Sequence, residues 1–273
     1  MSLVYQSAQS ATVVGTSLVI TKPASLAVGD YMFAVIGYQN PITSAPAGWS
    51  VIATQASPGS RITIKVYFIK ATSTEVAASN FTWESGSNAI VGGIIRVTGD
   101  AHSSPVAIFA QNTSTATTTP SYAISVTPDD VDSLLLYFVG SGAATGAISA
   151  SGYAIATSNP TWAEAFDITV DSGGGGALQL SLAYATRSQI TATGNASLTF
   201  SGAWESSAIM IVMRPQIVAD LSETESVVDT LNKGITKEIL ETESALDILD
   251  TSKNRKWDFT SKNSDVWVDT SKN

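Results

Sequence analysis

Six consecutive apolar residues, 31–36, follow the Gly-Asp pair at Gly29 and Asp30. Pro23 and Pro41 stand on either side of this run. Proline lacks a backbone donor and interrupts a sheet ladder, so the two prolines limit the element to the residues between them. An apolar run of this length between turn residues predicts a strand that is buried on both faces.

The same order of segments returns in the second half of the chain. The spacing between the copies increases after the second matching pair, which predicts an insertion at 158–177. In this alignment Trp49 matches Tyr153, whereas Trp162 lies in the insertion without a counterpart. The matching pairs are 29–38 with 132–139, 48–54 with 152–157, 62–68 with 178–184, 80–83 with 197–200, and 89–96 with 208–214.

The stretch 61–68 alternates apolar and polar residues most regularly. Alternation with a period of two predicts a strand with one packed face and one solvated face. The predicted packed face contains Ile62, Ile64, Val66 and Phe68, and the predicted solvated face contains Arg61, Thr63, Lys65 and Tyr67.

Short strands at regular spacing predict an all-β fold, a duplicated β-sandwich of jelly-roll type. The predicted repeats are 1–100 and 101–215, the second with the inserted loop 158–177. Two similar sandwiches and two halves of one larger sandwich bury the same alternate positions, so both interpretations stay open. Pro215 closes this region, and we expect residues 1–215 to fold without the rest of the chain.

The amino-acid composition of the chain argues against several classes of function. Charged residues make up 14% of the 273 residues, and the net charge is −9. This balance argues against nucleic acid and against an anionic membrane surface as partners. The chain contains no cysteine, which excludes disulfides and thiolate chemistry. We see no secretory signal and expect a soluble protein without membrane insertion.

The segment 216–250 is acidic and contains a second repeat. Leu221, Val228 and Leu231 recur as Ile239, Leu246 and Leu249. The recurrence equals five turns of an α-helix, so both copies could present one apolar stripe on a helix that Gly234 interrupts. A short helical and an extended segment both stay open. Such a stripe needs a partner surface, because packing supplies most of the stability of a helix. These leucines and valines are therefore candidate assembly residues.

The tail, 251–273, is built from three copies of a Thr-Ser-Lys-Asn motif. Ser-Lys-Asn is typical of turns, and the aromatic and β-branched residues between the copies are typical of strands. A short polar tail has no core of its own to cover these side chains. The candidate assembly residues of the tail are Trp257, Phe259, Val266, Trp267 and Val268.

Candidate chemistry is sparse, and we predict no catalytic residue, no metal site and no cofactor. The single histidine, His102, has no nucleophile motif beside it, and a linker histidine is the favoured interpretation. The acidic run 129–132 offers oxygen ligands for calcium, but a solvated turn before a strand explains it as well. The candidate ligand or receptor loop contains Trp162 and the glycines Gly173, Gly174, Gly175 and Gly176, although packing of Trp162 over the open end of the sandwich is favoured.

The first-half pattern of Lys22-Pro23, Gly29-Asp30, Gly48-Trp49 and Phe81-Thr82-Trp83 resembles a β-sandwich module of bacteriophage appendage and virion proteins. The tail resembles the short C-terminal repeats of phage structural proteins. The resemblance implies a non-enzymatic virion component, such as a tail fibre, spike, decoration or baseplate-associated protein. It further implies homotrimers, other virion proteins as partners, and a role in assembly and host attachment.

Two alternatives stay open. One is a cell-surface carbohydrate-binding module, with the Trp162 loop against a host-surface glycan. The other is a surface-polysaccharide hydrolase, which needs a pair of carboxylates across a groove. The sequence shows no sign of such a pair.

Overall fold

The computed structural model describes residues 3–86, 89–143, 149–155, 161–172, 176–216, 227–231 and 235–239. At residues 107, 108 and 143 and in the last two ranges it describes the backbone alone. The chain divides into two compact units, Met1–Ile217 and Val218–Asn273.

The first half of the larger unit contains eight strands and one short helix. In chain order the elements are β1 (Val4–Val13), β2 (Ser17–Thr21), β3 (Tyr31–Tyr38), β4 (Ile42–Ser44), β5 (Ser50–Ala56), β6 (Thr63–Lys70), α1 (Ser73–Ala77), β7 (Asn80–Ser85) and β8 (Ile90–Thr98). Thr72 caps α1 and exchanges hydrogen bonds with Glu75 in a capping box. In the described part of the chain, no helix has the length and apolar character needed to cross a membrane.

The described residues of the second half also form eight strands. They are β9 (Ala101–Thr117), β10 (Ser121–Tyr122), β11 (Ser133–Ala143), β12 (Ala150–Ile155), β13 (Ala163–Asp171), β14 (Ala177–Arg187), β15 (Ala196–Phe200) and β16 (Trp204–Pro215). The turns that lead into β3 and β11 each contain a left-handed residue, Gly29 with φ 94° and Asp132 with φ 59°.

Each half forms one five-stranded and one three-stranded antiparallel sheet. The five-stranded sheets, here called the inner sheets, have the orders β1-β8-β3-β6-β5 and β13-β14-β11-β16-β9. The three-stranded outer sheets have the orders β2-β7-β4 and β10-β15-β12. Adding eight to each strand number of the first half reproduces the order of the second half. The all-β prediction is confirmed, and an origin by duplication stays a prediction.

Three apolar cores separate the four sheets. The central core lies between the inner sheets and joins side chains such as Phe33 and Val35 of β3 to Leu136 and Phe138 of β11. Each inner sheet also covers an outer core on its other face. Because the inner sheets are enclosed on both sides, every residue of β3 is buried. The prediction of a doubly buried strand at 31–36 is therefore confirmed.

The prediction for the two faces of 61–68 is right for the packed face and partly wrong for the solvated face. Ile62, Ile64 and Val66 lie in the central core. Tyr67, predicted to face water, is only 2% exposed and lies in the first outer core. The reason is that the first outer sheet covers the second face of the inner sheet at this point, so alternation marks two different cores.

The smaller unit contains a described antiparallel hairpin, β17 (Val227–Leu231) and β18 (Ile235–Ile239). Its register places Val228 opposite Glu238 and Leu231 opposite Ile235. Of the helical and extended alternatives, these residues therefore adopt the extended one. Their β-branched content favours strands.

Candidate functional site

The second outer core ends in a group of polar and aromatic side chains. They come from β12, an edge strand of the second outer sheet, and from β13 and β14 at one edge of the second inner sheet. The members of this group, here called the polar cluster, are Tyr153, Glu164, Asp167, Gln179 and Ser181, with Trp162 and Tyr137 packed beside them.

A β-bulge brings the two carboxylates onto one face of β13. Glu164 and Asp167 are three residues apart, so a regular strand would point them to opposite faces. The ladder with β14 shifts register between Glu164 and Phe166, which inserts one extra residue. As a result Glu164 lies opposite Ala183 and Asp167 lies opposite Ser181, two positions apart on β14. Both carboxylates therefore belong to the face that packs on the second outer sheet.

Asp167 is the best-connected member of the polar cluster. Its Oδ2 accepts the backbone N–H of Ala150 at 2.7 Å, and its Oδ1 accepts the Nε2 amide of Gln179 at 2.7 Å. The Tyr153 hydroxyl contacts the Ser181 hydroxyl. Gln179 is fully buried, and its Oε1 has no donor among the described residues. A buried acceptor without a donor is costly, so this oxygen calls for a ligand or a water.

The two carboxylates also influence the titration of the cluster. Partial burial, and then the charge of Asp167, raise the pKa of the Glu164 carboxyl. Burial raises the pKa of the Tyr153 phenol, and the charges of Glu164 and Asp167 raise it further. Both shifts have the sign expected where negative charge is crowded without a nearby cation.

Trp162 is a packing residue at the edge of this cluster. Its ring lies 5.7 Å from that of Tyr137 and is partly buried. Trp162 directly precedes β13, as Trp49 directly precedes β5, the strand at the same place in the first half. Trp49 likewise packs in an outer core, with its ring 5.6 Å from that of Trp83.

This correspondence corrects the alignment made from the sequence. Tyr153 lies in β12, the counterpart of β4, and therefore does not match Trp49. Trp162 is the match, so it is not an unpaired residue of an insertion. The error arose because Gly152-Tyr153 imitates Gly48-Trp49 locally, whereas strand order depends on pairing across the sheet. Of the predicted loop glycines, Gly176 has a φ of 98°, and Gly173, Gly174 and Gly175 lie outside the described residues.

The first half lacks the polar cluster although it has the same bulge. The ladder of β5 with β6 shifts between Val51 and Ala53, as that of β13 with β14 shifts between Glu164 and Phe166. The positions that correspond to Glu164, Asp167, Gln179 and Ser181 are occupied by Val51, Thr54, Thr63 and Lys65. The strand pairing and its bulge therefore form without carboxylates at these positions.

His102 lies beside an open cleft of about 620 Å³. Its Nδ1 accepts the backbone N–H of Ser104 at 3.1 Å and lies 3.3 Å from an Nη of Arg214. Arg214 also donates to Asp129 at 3.2 Å and to the carbonyl of Ser104 at 3.2 Å. The Ser103 hydroxyl is 3.5 Å from the same Nδ1. These contacts fix the ring at a strand junction and support the linker interpretation.

Two residues of the acidic run at 129–132 make separate contacts with different partners. Asp129 pairs with Arg214, and the carbonyl of Asp130 accepts the hydroxyl of Ser133. Within the ranges that the structure describes, no three acidic or histidine side chains converge as a metal site would require. The turn interpretation of this run is therefore the better supported one.

Most of the predicted assembly residues cannot be placed. Val228 and Leu231 lie in β17, where the backbone alone is described. The others lie outside the described residues: Leu221, Leu246, Leu249, Trp257, Phe259, Val266, Trp267 and Val268.

Comparison of the chain with protein families, with curated proteins and with solved structures gives no significant match. Function is therefore inferred from the residues and their geometry alone.

Proposed function

We propose that this chain is a non-enzymatic structural protein of a bacteriophage particle, such as a tail fibre, spike, decoration or baseplate-associated component. In this proposal the larger unit is a rigid platform, and the segment after Gln216 joins it to other subunits. The partners are further copies of the chain, as a trimer, and neighbouring virion proteins. Attachment to a host-surface glycan or receptor is a further role that the same particle would serve.

The observation that carries the proposal is the hairpin of the smaller unit. Among the described residues β17 pairs only with β18, and β18 only with β17. A single two-stranded hairpin is marginally stable in water, and three or more strands or a covering element are needed. The sequence around it contributes strand-forming residues in repeats that end in Thr-Ser-Lys-Asn. Equivalent repeats from neighbouring subunits would supply the missing partners.

The contacts of charged side chains in the larger unit support a platform role. Arg96 pairs with Asp30 at 2.6 Å, with both side chains mostly buried. Arg214 ties the start of β9 to the turn before β11 through Ser104 and Asp129. These charged groups hold strands and turns together, as a rigid platform requires.

The test compares the mass in solution of the full chain with that of residues 1–216. We expect the full chain to be a trimer and the fragment to be a folded monomer. Replacing Trp257 and Trp267 together by Ala should weaken the trimer, whereas replacing Lys253 and Lys262 by Ala in the same repeats should leave it intact. An unchanged mass on removal of residues 217–273 would contradict assembly through this segment.

The virion assignment has its own test. In particles purified from a lysed culture of the producing cells, mass spectrometry should detect peptides from the larger unit. Their absence from purified particles, together with their presence in the soluble fraction, would contradict a structural role in the virion.

A further inference from the structure

The hairpin of the smaller unit has a mostly apolar face and a mostly polar face. Its register pairs Val227 with Ile239 and Leu231 with Ile235, and the period of two places all four residues on the same face. The residues of the other face are Val228, Thr230, Thr236 and Glu238. Two strands alone do not hold an apolar face stably in water, so the first face needs a covering surface.

A pair of opposite charges lies in the middle of this apolar face. Asp229 stands directly opposite Lys237, between the level of Val227 with Ile239 and the level of Leu231 with Ile235. The face, here called the assembly face and made of these six residues, therefore has three levels along the strands: apolar, charged and apolar. Charges that become covered need opposite charges beside them. A suitable covering surface thus offers apolar groups at both ends and both signs of charge between them.

A second copy of the assembly face meets these requirements. Rotation about an axis parallel to the strands keeps every residue at its own height along that axis, so equal levels of neighbouring copies meet. The same rotation places β17 of each copy beside β18 of the next. Asp229 of one copy then lies at the level of Lys237 of its neighbour. The charges alternate around the middle level and sum to zero for any number of copies.

The pairing of the two strands fits the same arrangement. Among the described residues β17 pairs only with β18, so each strand has one edge without a ladder in this part of the chain. Such an edge presents N–H and C=O groups that another strand can pair with. In a ring of copies the outer edge of β17 meets the outer edge of β18 in the next copy, and these two strands run antiparallel. The face and the edges therefore favour the same partner.

We propose that the assembly face packs against the same face of further copies about an axis parallel to its strands, and that Asp229 and Lys237 fix the register along that axis. A slip by one level would set a charge of one copy against Val227 or Leu231 of the next. A covered charge without a partner is costly, so the slipped arrangement is disfavoured. A single polar position fixes register in coiled coils in the same way. This inference rests on the proposed function, because it names the surface through which the segment after Gln216 assembles.

The experiment uses the full chain and two variants with one reversed charge each, Asp229→Lys and Lys237→Asp. Either change leaves only like charges in the middle level, within each chain and between copies. We expect either variant to raise the dissociation constant of the assembly by roughly 100-fold or more, because like charges meet across the interface. Light scattering and native mass spectrometry over a series of concentrations measure this constant.

Glu238→Lys is the matched control, because it makes the same change of charge on the other face of the hairpin. It should assemble as the wild type does. The variant that combines Asp229→Lys with Lys237→Asp restores opposite charges at the middle level and should also assemble as the wild type does.

An equal mixture of the two single variants distinguishes a contact between copies from a pair within one chain. Neighbouring copies of different variants bring lysines beside aspartates, whereas the like charges within each chain remain. Mixed assemblies should therefore form at concentrations where neither variant assembles alone. In a ring of three, one neighbouring pair stays alike, so the affinity should recover in part.

Assembly of Asp229→Lys with the affinity of the wild type would overturn this inference. So would an equal loss in Glu238→Lys, which would show a general effect of charge. A mixture that assembles no better than its components would also overturn it, because the pair would then act within one chain. These three outcomes leave assembly through residues 217–273 intact, whereas a monomeric wild type would overturn that assembly and this inference together.

Discussion

The two halves of the larger unit share a frame and differ in what fills its outer cores. Around Trp49 the first outer core contains aromatic rings, with Phe81 at 5.4 Å and Trp83 at 5.6 Å. In the second half the ring of Trp162 packs on Tyr137, and Asp167 and Gln179 form a hydrogen-bonded polar pair on the side of the inner sheet that faces the second outer sheet. The same strand order thus tolerates an apolar filling and a polar one. Comparing equivalent positions therefore distinguishes the residues that the fold requires from those that it tolerates.

The largest expected effect concerns the core that the halves share. Phe33→Ala or Phe138→Ala removes a fully buried ring between the inner sheets. Either change should lower the free energy of unfolding by ~3–5 kcal/mol. Denaturant unfolding followed by Trp fluorescence and by circular dichroism should show one shared transition shifted to lower denaturant. Two separated transitions would show that the halves are independent domains.

The next effect compares the two corresponding tryptophans. Trp49→Ala should cost ~3–5 kcal/mol, because the ring is buried among other rings. Trp162→Ala should cost less, about 2 kcal/mol, since its ring is only partly buried. Urea denaturation of the two variants measures both values. Unchanged stability of Trp162→Ala would contradict its packing role and would favour the alternative of a ligand or receptor loop.

A smaller effect tests how closely the inner sheets approach. A Cβ atom at Gly140 would collide with the Ile64 side chain of the opposite inner sheet. Gly140→Ala should therefore destabilise the protein by ~1–3 kcal/mol through overpacking. Gly86→Ala is the matched control, because its Cβ would meet only ordinary contact with Asn40. Equal thermal melts of the two variants would contradict the close approach.

The smallest effects are opposite pH dependences of two glutamates. Burial alone would raise the pKa of Glu75, but hydrogen bonds from Thr72 lower it below its ordinary value. The contribution of the Glu75 carboxylate to folding stability is present above its ordinary pKa and is lost as the pH falls through its lowered pKa. Burial and Asp167 raise the pKa of Glu164, so its contribution is present at low pH and is lost as the pH rises through the raised value.

Urea denaturation across the acid range distinguishes the two cases. Glu75→Gln should be less stable than the wild type near neutral pH, by ~1 kcal/mol for a lost cap, and the difference should shrink on acidification. Glu164→Gln should be slightly more stable than the wild type near neutral pH, and this advantage should vanish on acidification. Parallel curves for either variant and the wild type would contradict its assigned shift.

The sequence predicted the strands well, because buried runs and alternation are local signals. The run at 31–36 and the packed positions Ile62, Ile64 and Val66 were recognised from such patterns. The faces of 61–68 were less predictable, since Tyr67 is covered by a sheet that is remote in the chain. For the residues of β17 and β18 the sequence left a helix and an extended segment open, because the repeat fits five helical turns whereas the β-branched residues favour strands.

The polar cluster was missed for a physical reason. Glu164 and Asp167 have a spacing that places them on opposite faces of a regular strand, and only the bulge before Phe166 reunites them. A bulge is a property of pairing with β14, so no local pattern reveals it. One signal was available: Gln179 and Ser181 stand where an alternating strand with two buried faces should have apolar residues. The match of Trp162 with Trp49 likewise depended on strand order.

The most direct test of the comparison gives the second half the residues of the first at three positions of the polar cluster. We expect the variant with Glu164→Val, Asp167→Thr and Gln179→Thr to fold cooperatively, because both partners of the buried polar contact are removed together. Its thermal melt should stay close to that of the wild type. A variant that fails to fold, or that melts far below the wild type, would show that the fold needs the cluster.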